Sequence, residues 1–409
     1  MRDETAQGSD DTADSERRPR TGVVAVFSGG AAVSLPFPVS DEPLVLGRSA
    51  AGTGIRLPDD RLSRNHATIT LTAGGWEIRD EGSRNGTFVD GERIEGRVVL
   101  ASPPQVIRLA DTLLVPVSDL RDVLGDELVP RPDGVVVSWT LRRALDRVEH
   151  AAGSSGSLFL RGESGSGKEL AAREFHAKGP NAKGPFVAVN CATIPAGVAE
   201  RLLFGAKRGA YSGATTDTVG HLQAADGGVL FLDEVAELEL SVQAKLLRAL
   251  EAKEVSPLGD SASQRIDIRV VAATHRDLRK AVAEKRFRAD LYYRLAPPEV
   301  LLPPLRERRE EIPRHMLSAI LRVSGSPAPH VKLVENCMLR HWPGNVRELR
   351  NEIKHAAVRA KDEGADRVRL EHLSREAGKE LRSGTRARAP APSTPRAEES
   401  GKAPRRRRP

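Results

Sequence analysis

Residues 162–169 read Gly162, Glu163, Ser164, Gly165, Ser166, Gly167, Lys168, Glu169, directly after a short apolar run (Leu158, Phe159, Leu160) and directly before a helical pattern (Leu170, Ala171, Phe175). A strand, a glycine-rich turn and a helix in that order make a phosphate-binding loop. The glycines let several N–H groups converge on phosphate oxygens, the helix adds its positive N-terminal end, and Lys168 supplies a point charge to the terminal phosphates. A nucleoside triphosphate is the natural occupant, and an α/β sheet the natural scaffold.

At 409 residues the chain has room for two or three domains, each with its own core. The two cysteines, Cys191 and Cys337, are far apart and offer neither a disulfide framework nor a zinc spacing, so both read as buried small side chains. The N-terminus is polar and acidic, and there is no apolar run of secretory or membrane-spanning length. A cytoplasmic protein with no membrane partner is expected. Residues 381–409 hold nine Arg or Lys against Glu398 and Glu399, which alone accounts for the net charge of +7. The positive charge therefore marks a basic tail, not a basic folded face.

Residues 1–21 are poor in large apolar side chains and are expected to be disordered. From Val23 the pattern changes to short apolar runs at 23–27, 67–71, 76–79, 87–89, 106–109 and 113–117, separated by turn residues, with Asp90-Gly91 as a hairpin signal. These predict an all-β sandwich over 22–118. Its polar residues fall mostly between strands, as Gly47-Arg48, then Ser63-Arg64-Asn65-His66, then Gly82-Ser83-Arg84-Asn85-Gly86-Thr87. This ordered trio resembles the forkhead-associated (FHA) domain, a sandwich that reads phosphothreonine peptides through loops at one end. The resemblance implies that Arg48 and Ser63 hold the phosphate with Arg64 and Arg84 close by, that Asn85 bonds the peptide backbone, and that His66 braces the loop. Guanidinium forks and hydroxyls suit a dianionic phosphate. A sandwich kept only for docking remains the other reading.

Residues 119–133 are charged, carry Pro130 and Pro132, and read as a linker. Beyond them, apolar runs at 158–160, 186–189, 229–232 and 268–273 alternate with helical patterns and predict a mostly parallel sheet covered by helices, the α/β ATPase domain of residues 134–305. The strands end in polar residues, where open α/β sheets bind ligands. The run at 229–232 ends in Asp233, suited to Mg²⁺, and Glu234, suited to polarising an attacking water, while Asn190 and Thr274-His275 close two other strands. Glu169 stands where Ser or Thr usually binds Mg²⁺.

That substitution, and the segment 131–380 as a whole, resemble the AAA+ domain of sigma-54-dependent transcription activators, whose phosphate loop also ends in Lys-Glu. The matches include Val189-Asn190-Cys191, Leu202-Leu203-Phe204-Gly205, Phe231-Leu232-Asp233-Glu234, the stretch from Phe287 to Leu295, Pro303-Pro304-Leu305-Arg306-Glu307-Arg308, and Trp342-Pro343-Gly344-Asn345-Val346-Arg347-Glu348-Leu349. The resemblance implies that ATP and Mg²⁺ are the cofactors and that Asn190 couples Glu234 to nucleotide state. It also implies that Arg288 and Arg294 act as arginine fingers in a neighbouring subunit's site, hence a ring, and in this family a hexamer. Arg347 would be a sensor arginine on a helical lid at 306–381. Gly209, Ala210, Tyr211, Ser212, Gly213 and Ala214 match the loop that grips sigma-54, with Tyr and Ser where the family usually has Phe and Thr. His275 stands where the family most often has Asn.

Beyond a short helical pattern at 370–381, the segment 382–409 carries no apolar periodicity for a DNA-reading helix pair, and a disordered basic tail that holds DNA only weakly and without sequence choice is expected. Two function classes stay open. One is an ATP-dependent regulator that remodels sigma-54 RNA polymerase and senses a phosphothreonine protein or a Ser/Thr kinase; the other is a phosphopeptide-binding scaffold whose AAA+ ring is a nucleotide switch that leaves sigma-54 alone.

Overall fold

The computed structural model describes residues 20–49, 55–123, 135–195, 197–212 and 214–380. The expected disorder of the N-terminus, most of the linker, Gly213 of the sigma-54 loop and the basic tail fall outside these residues. Among the described residues eleven strands come first: β1 (Gly22–Ser28), β2 (Ala31–Pro38), β3 (Leu44–Gly47), β4 (Ile55–Arg56), β5 (Ala67–Thr72), β6 (Gly75–Asp80), β7 (Thr87–Val89), β8 (Glu92–Arg93), β9 (Arg97–Leu100), β10 (Ile107–Leu109) and β11 (Thr112–Val117). They form two facing sheets, ordered β2-β1-β11-β10-β7-β8 and β4-β3-β5-β6-β9. Val23, Ala25, Leu46, Ile69, Ile78, Ile107 and Leu114 fill the space between them. Asp90 and Gly91 both take positive φ, 49° and 87°, in the tight turn from β7 to β8.

The strands that sequence patterning missed are β2, β3, β4, β8 and β9. β2 contains Pro36 and Pro38, which an edge strand tolerates because one side of it needs no donor. β4 and β8 have two residues each, too few for a period. The linker also begins later than expected: Asp119 caps a 3₁₀ turn at Leu120–Asp122, and Leu120 and Val123 are buried. Burial of two apolar side chains outweighs the charged composition around them.

The ATPase module takes α1 (Trp139–Ser154), β12 (Ser157–Arg161), α2 (Lys168–Lys178), β13 (Phe186–Asn190), α3 (Ala199–Phe204), α4 (His221–Ala224), β14 (Val229–Asp233), α5 (Leu240–Ala252), β15 (Glu254–Val255), β16 (Gln264–Arg265), β17 (Arg269–Thr274), α6 (Leu278–Ala283), α7 (Ala289–Leu295) and β18 (Glu299–Leu301). The central sheet is parallel throughout, ordered β13-β14-β17-β12-β18. Successive residues of its inner strands serve opposite cores: Leu230 and Leu232 face one helical layer, Val229 and Phe231 the other. The fifth strand, β18, escaped the sequence reading because it is a three-residue edge with only Val300 buried. Since β17 runs between β12 and β14, its polar end lies between the phosphate loop and Asp233-Glu234.

The lid is α8 (Ile312–Leu321), α9 (Val331–Met338) and α10 (Asn345–Asp362). Of the helical pattern expected at 370–381, only a 3₁₀ turn at Leu370–His372 forms. The chain turns back instead, and the Gly378 carbonyl accepts the backbone N–H groups of His341 and Trp342. Among the described residues no helix is long and apolar enough to cross a membrane.

Candidate functional site

Gly165 and Gly167 take φ of 75° and 106°, the left-handed conformation that lets the loop wrap back to the start of α2. Gly165 cannot carry a side chain for a second reason, since a Cβ there would lie 2.4 Å from the Gly344 carbonyl of the lid. The loop lines a cavity of about 490 Å³ together with Asn190, Asp233, Glu234, Arg347, Arg350 and an apolar edge of Val135, Val136, Leu141 and Val346. The structure thus brings the loop, both carboxylates, Asn190 and Arg347 to one place.

Lys168 is 6% exposed, and its ammonium donates to the Gly162 carbonyl at 3.1 Å and to Glu234 Oε1 at 3.1 Å, with Asp233 at 4.0 Å. Glu234 sits at φ 52°, a strained conformation for a side chain of its kind. Its second oxygen accepts from Thr274 Oγ1 at 3.1 Å and His275 Nδ1 at 2.7 Å. The two adjacent carboxyls are driven apart. Burial pushes Asp233 above its ordinary value; burial also acts on Glu234, but Lys168 and His275 together hold it below. Asn190 lines the cavity, but its side-chain oxygen accepts the Ala192 N–H of its own turn, and it is His275 that grips Glu234. Glu169 turns its carboxylate away to Arg173, one helical turn on, at 2.7 Å. It lines the cavity at the start of α2 with its Oε1 engaged by Arg173.

Sequence reasoning passed over the groups that hold this loop in place. Arg306 forks onto both oxygens of Glu163 at 3.0 and 2.8 Å, holding that carboxyl below its ordinary range. Asn345 donates to Glu163 Oε2 and to the Ser164 carbonyl, and accepts from the Leu305 N–H at 2.7 Å. Arg308 donates to the Ser166 carbonyl at 2.6 Å and to Glu311, which also takes Ser138 Oγ at 2.7 Å. Arg308 and Glu311 are 2% and 0% exposed. Arg306, Arg308 and Asn345 fall in motifs that match the activator family, but the motifs carry no role for them, and composition alone reads Arg308 and Glu311 as surface.

Arg288 and Arg294 are exposed and neither lines the cavity; Arg288 forks onto Asp290 beside it. In the loop at 209–214, Gly209 N–H donates to the Ala214 carbonyl at 2.9 Å, and Arg201 Nη1 donates to the Tyr211 hydroxyl at 2.8 Å. Ser212 is exposed.

At the sandwich, Arg48, Arg64 and Arg84 are exposed on neighbouring loops, and Ser63 Oγ accepts the Arg84 N–H at 3.1 Å. Asn85 Nδ2 donates to the Arg61 carbonyl at 2.6 Å. His66 is fully buried, accepting the Ser63 N–H at Nδ1 and donating from Nε2 to the Gly86 carbonyl, both at 3.2 Å. Those two bonds require the neutral ring, and burial lowers the His66 pKa accordingly. It ties the loop of Ser63 to the loop of Gly86.

Three family models match in chain order: FHA domain at residues 44–109, sigma-54 interaction domain at 135–300 and AAA+ ATPase lid domain at 306–390. The alginate biosynthesis transcriptional regulatory protein AlgB of Pseudomonas aeruginosa is 39% identical over 311 residues, covering 73% of this chain and 69% of AlgB. The Nif-specific regulatory protein of Herbaspirillum seropedicae is 44% identical over 236 residues, which is 55% of this chain and 43% of that protein. The chain spans about half the length of the first curated relatives it matches. Among solved structures, NtrX from Brucella abortus in complex with ATP aligns with a TM-score of 0.55 at 32% identity, over 61% of this chain and 58% of NtrX. From the site geometry, the ordered domain matches and the coverage of AlgB, the chain belongs to the sigma-54-dependent transcriptional activators, with an FHA domain ahead of its AAA+ module.

Proposed function

We propose that this chain hydrolyses ATP to remodel sigma-54 RNA polymerase and that phosphothreonine recognition by the FHA sandwich regulates it. The observation that carries the reading is Lys168 within 3.1 Å of Glu234 at the mouth of a phosphate loop. An ammonium held there by a carboxylate is available to a triphosphate, and its departure frees Glu234 for water. The residues fit the nucleotide: Ser166 Oγ is buried with no partner among the described residues and remains to donate to a phosphate oxygen, and the apolar edge of the cavity suits a base. Asp233 offers a hard oxygen to Mg²⁺, which when bound would neutralise charge on the transferring phosphoryl group.

Arg347 donates to Ser164 Oγ at 3.3 Å and so approaches the same phosphates from the lid. Arg288 and Arg294, exposed and outside their own cavity, suit delivery to a neighbouring subunit, where a cation at the transferring phosphoryl is worth several orders of magnitude in rate. Membership of the sigma-54 activator family supports a hexameric ring in the cytoplasm, with those two arginines supplied across each subunit boundary. Arg48, Ser63, Arg64, Arg84 and Asn85 form the phosphopeptide site, and the tail adds weak non-specific DNA contact. The nucleotide-switch scaffold stays a second reading because Tyr211, tied by its hydroxyl to Arg201, departs from the gripping loop's usual Phe.

The test is ATPase rate against protein concentration, with and without a pool of phosphothreonine peptides, for wild type, Lys168→Ala, Arg288→Ala and Arg48→Ala. Cooperative activity lost in the first two variants, with a peptide effect lost in the third, is the expected result. Absence of activity together with failure to capture sigma-54 in a transition-state analogue would leave the scaffold.

A further inference from the structure

The outer face of a β-sandwich sheet ordinarily meets water and alternates apolar with polar residues. Here it does not. All seven residues of β1 are buried, and Leu113, Val115 and Val117 of β11 point away from the sandwich core, as do Val24, Val26 and Phe27. These side chains share one apolar cluster with Ile312, Met316, Ala319 and Ile320 of α8 and Val334 and Met338 of α9. The sheet face is covered by the lid.

A buried ion pair fixes the register of that contact. Arg108 of β10 donates from Nε to Glu335 Oε2 of α9 at 2.7 Å, with the two side chains 6% and 7% exposed, across 227 residues of sequence. The guanidinium lies 3.5 Å from the centre of the Phe88 ring, and Nη1 reaches the Ala110 carbonyl. At the rim Arg309 donates to Gln105 Oε1 at 2.7 Å and to the Met338 carbonyl at 3.0 Å. Removing one partner of such a pair strands a charge, so the contact is specific in a way that an apolar face alone would not be.

The lid's other side carries Arg347 and Asn345 to the phosphate loop. Phe88, against which Arg108 rests, stands three residues beyond Asn85 of the recognition loops, while Arg48, Arg64 and Arg84 stay exposed. The lid is thus held between the sandwich and the nucleotide cavity, with the recognition loops left open.

We propose that the β1–β11–β10 face is a second interaction surface of the sandwich, with the chain's own lid as its partner, and that docking there positions Arg347 and Asn345 at the nucleotide site. The surface is separate from the phosphopeptide loops, and both can be engaged together. The proposal rests on the nucleotide reading of the cavity given above. It makes Arg108 and Glu335 positioning residues.

The test uses the full chain, with hydrogen–deuterium exchange and titration of a fluorescent N-methylanthraniloyl ADP. Glu335→Lys sets two cations against each other. It should raise exchange in β1, β11, α8 and α9, leave the β12, β14 and β17 amides as in wild type, and weaken the ADP analogue at least threefold. The paired variant Arg108→Glu with Glu335→Lys should bring both readouts back towards wild type, which a merely misfolded lid would not do. Exchange unchanged in Glu335→Lys overturns the docking, and raised exchange with unaltered ADP affinity overturns the positioning role. Should wild type itself not bind the ADP analogue, the positioning role falls with the nucleotide reading, while the exchange data still decide whether the two modules dock.

Discussion

Asn345 is the joint between lid and phosphate loop, and Asn345→Ala tests whether that joint sets nucleotide affinity. The side chain is fully buried and sits at φ 51°. Its oxygen takes the Leu305 N–H at 2.7 Å, and its amide divides between Glu163 Oε2 at 3.1 Å, the Ser164 carbonyl at 3.0 Å and the Pro343 carbonyl at 3.3 Å. Alanine leaves the buried Leu305 donor unpaired, at about 1–3 kcal/mol, and adds about 1–2 kcal/mol of left-handed strain. A local loss of roughly 2–5 kcal/mol is therefore expected, and since about 1.4 kcal/mol is a factor of ten, binding of the fluorescent ADP should weaken at least tenfold. Asn345→Gly separates the two terms: it loses the same bonds without the strain, and should fall between Ala and wild type. Hydrogen exchange over residues 162–168 and 345–362 should rise in the same order. Both variants binding ADP within about twofold of wild type, with exchange unchanged, would refute the reasoning, because the bonds would then carry less than RT-scale coupling.

The remaining predictions concern single side chains. Glu234→Gln should retain ATP while losing at least about a hundredfold in hydrolysis, read by filter binding beside phosphate release; loss of binding instead would make Glu234 structural. Glu310, 3% exposed, is pushed up to about 7 by burial and then by the charge of Glu311, from an ordinary 4.5. The folded state then holds a proton that the unfolded chain has released, so this group's contribution falls as pH rises from about 4.5 to 7 and is flat above, by about 3 kcal/mol in all. Glu310→Gln should remove that slope and raise the melting temperature at pH 8, measured as the difference from wild type across pH; parallel curves would show that Glu310 does not carry it. Tyr211→Phe removes the bond from Arg201, worth about 1 kcal/mol, and should increase capture of sigma-54 in ADP–aluminium fluoride; equal or weaker capture would mean the hydroxyl restrains nothing.

The sequence made the chemistry of the nucleotide site legible because that chemistry is local. A glycine pattern, one lysine and two acids at the end of an apolar run are each set by backbone geometry within a few residues, and Lys168, Asp233 and Glu234 meet as expected. The supporting groups were not legible, since Arg306, Arg308, Glu311 and Asn345 act on residues more than a hundred positions away. Their composition alone reads as a charged surface. His275 shows the same divide: its position after a strand marked it as a nucleotide-site residue, but its 2.7 Å bond to Glu234 exists only because β17 lies beside β14.

By itself, the sequence determined the α/β AAA+ module, the sandwich and their order, because periodicity and turn chemistry act within an element. Tertiary structure alone decided that the sandwich docks on the lid. The continuous apolar runs of β1 and β11 state that both faces are buried, but not against what. Only the fold brings Arg108 to Glu335, because burial is satisfied by any apolar partner, whereas a buried charge must be matched in three dimensions.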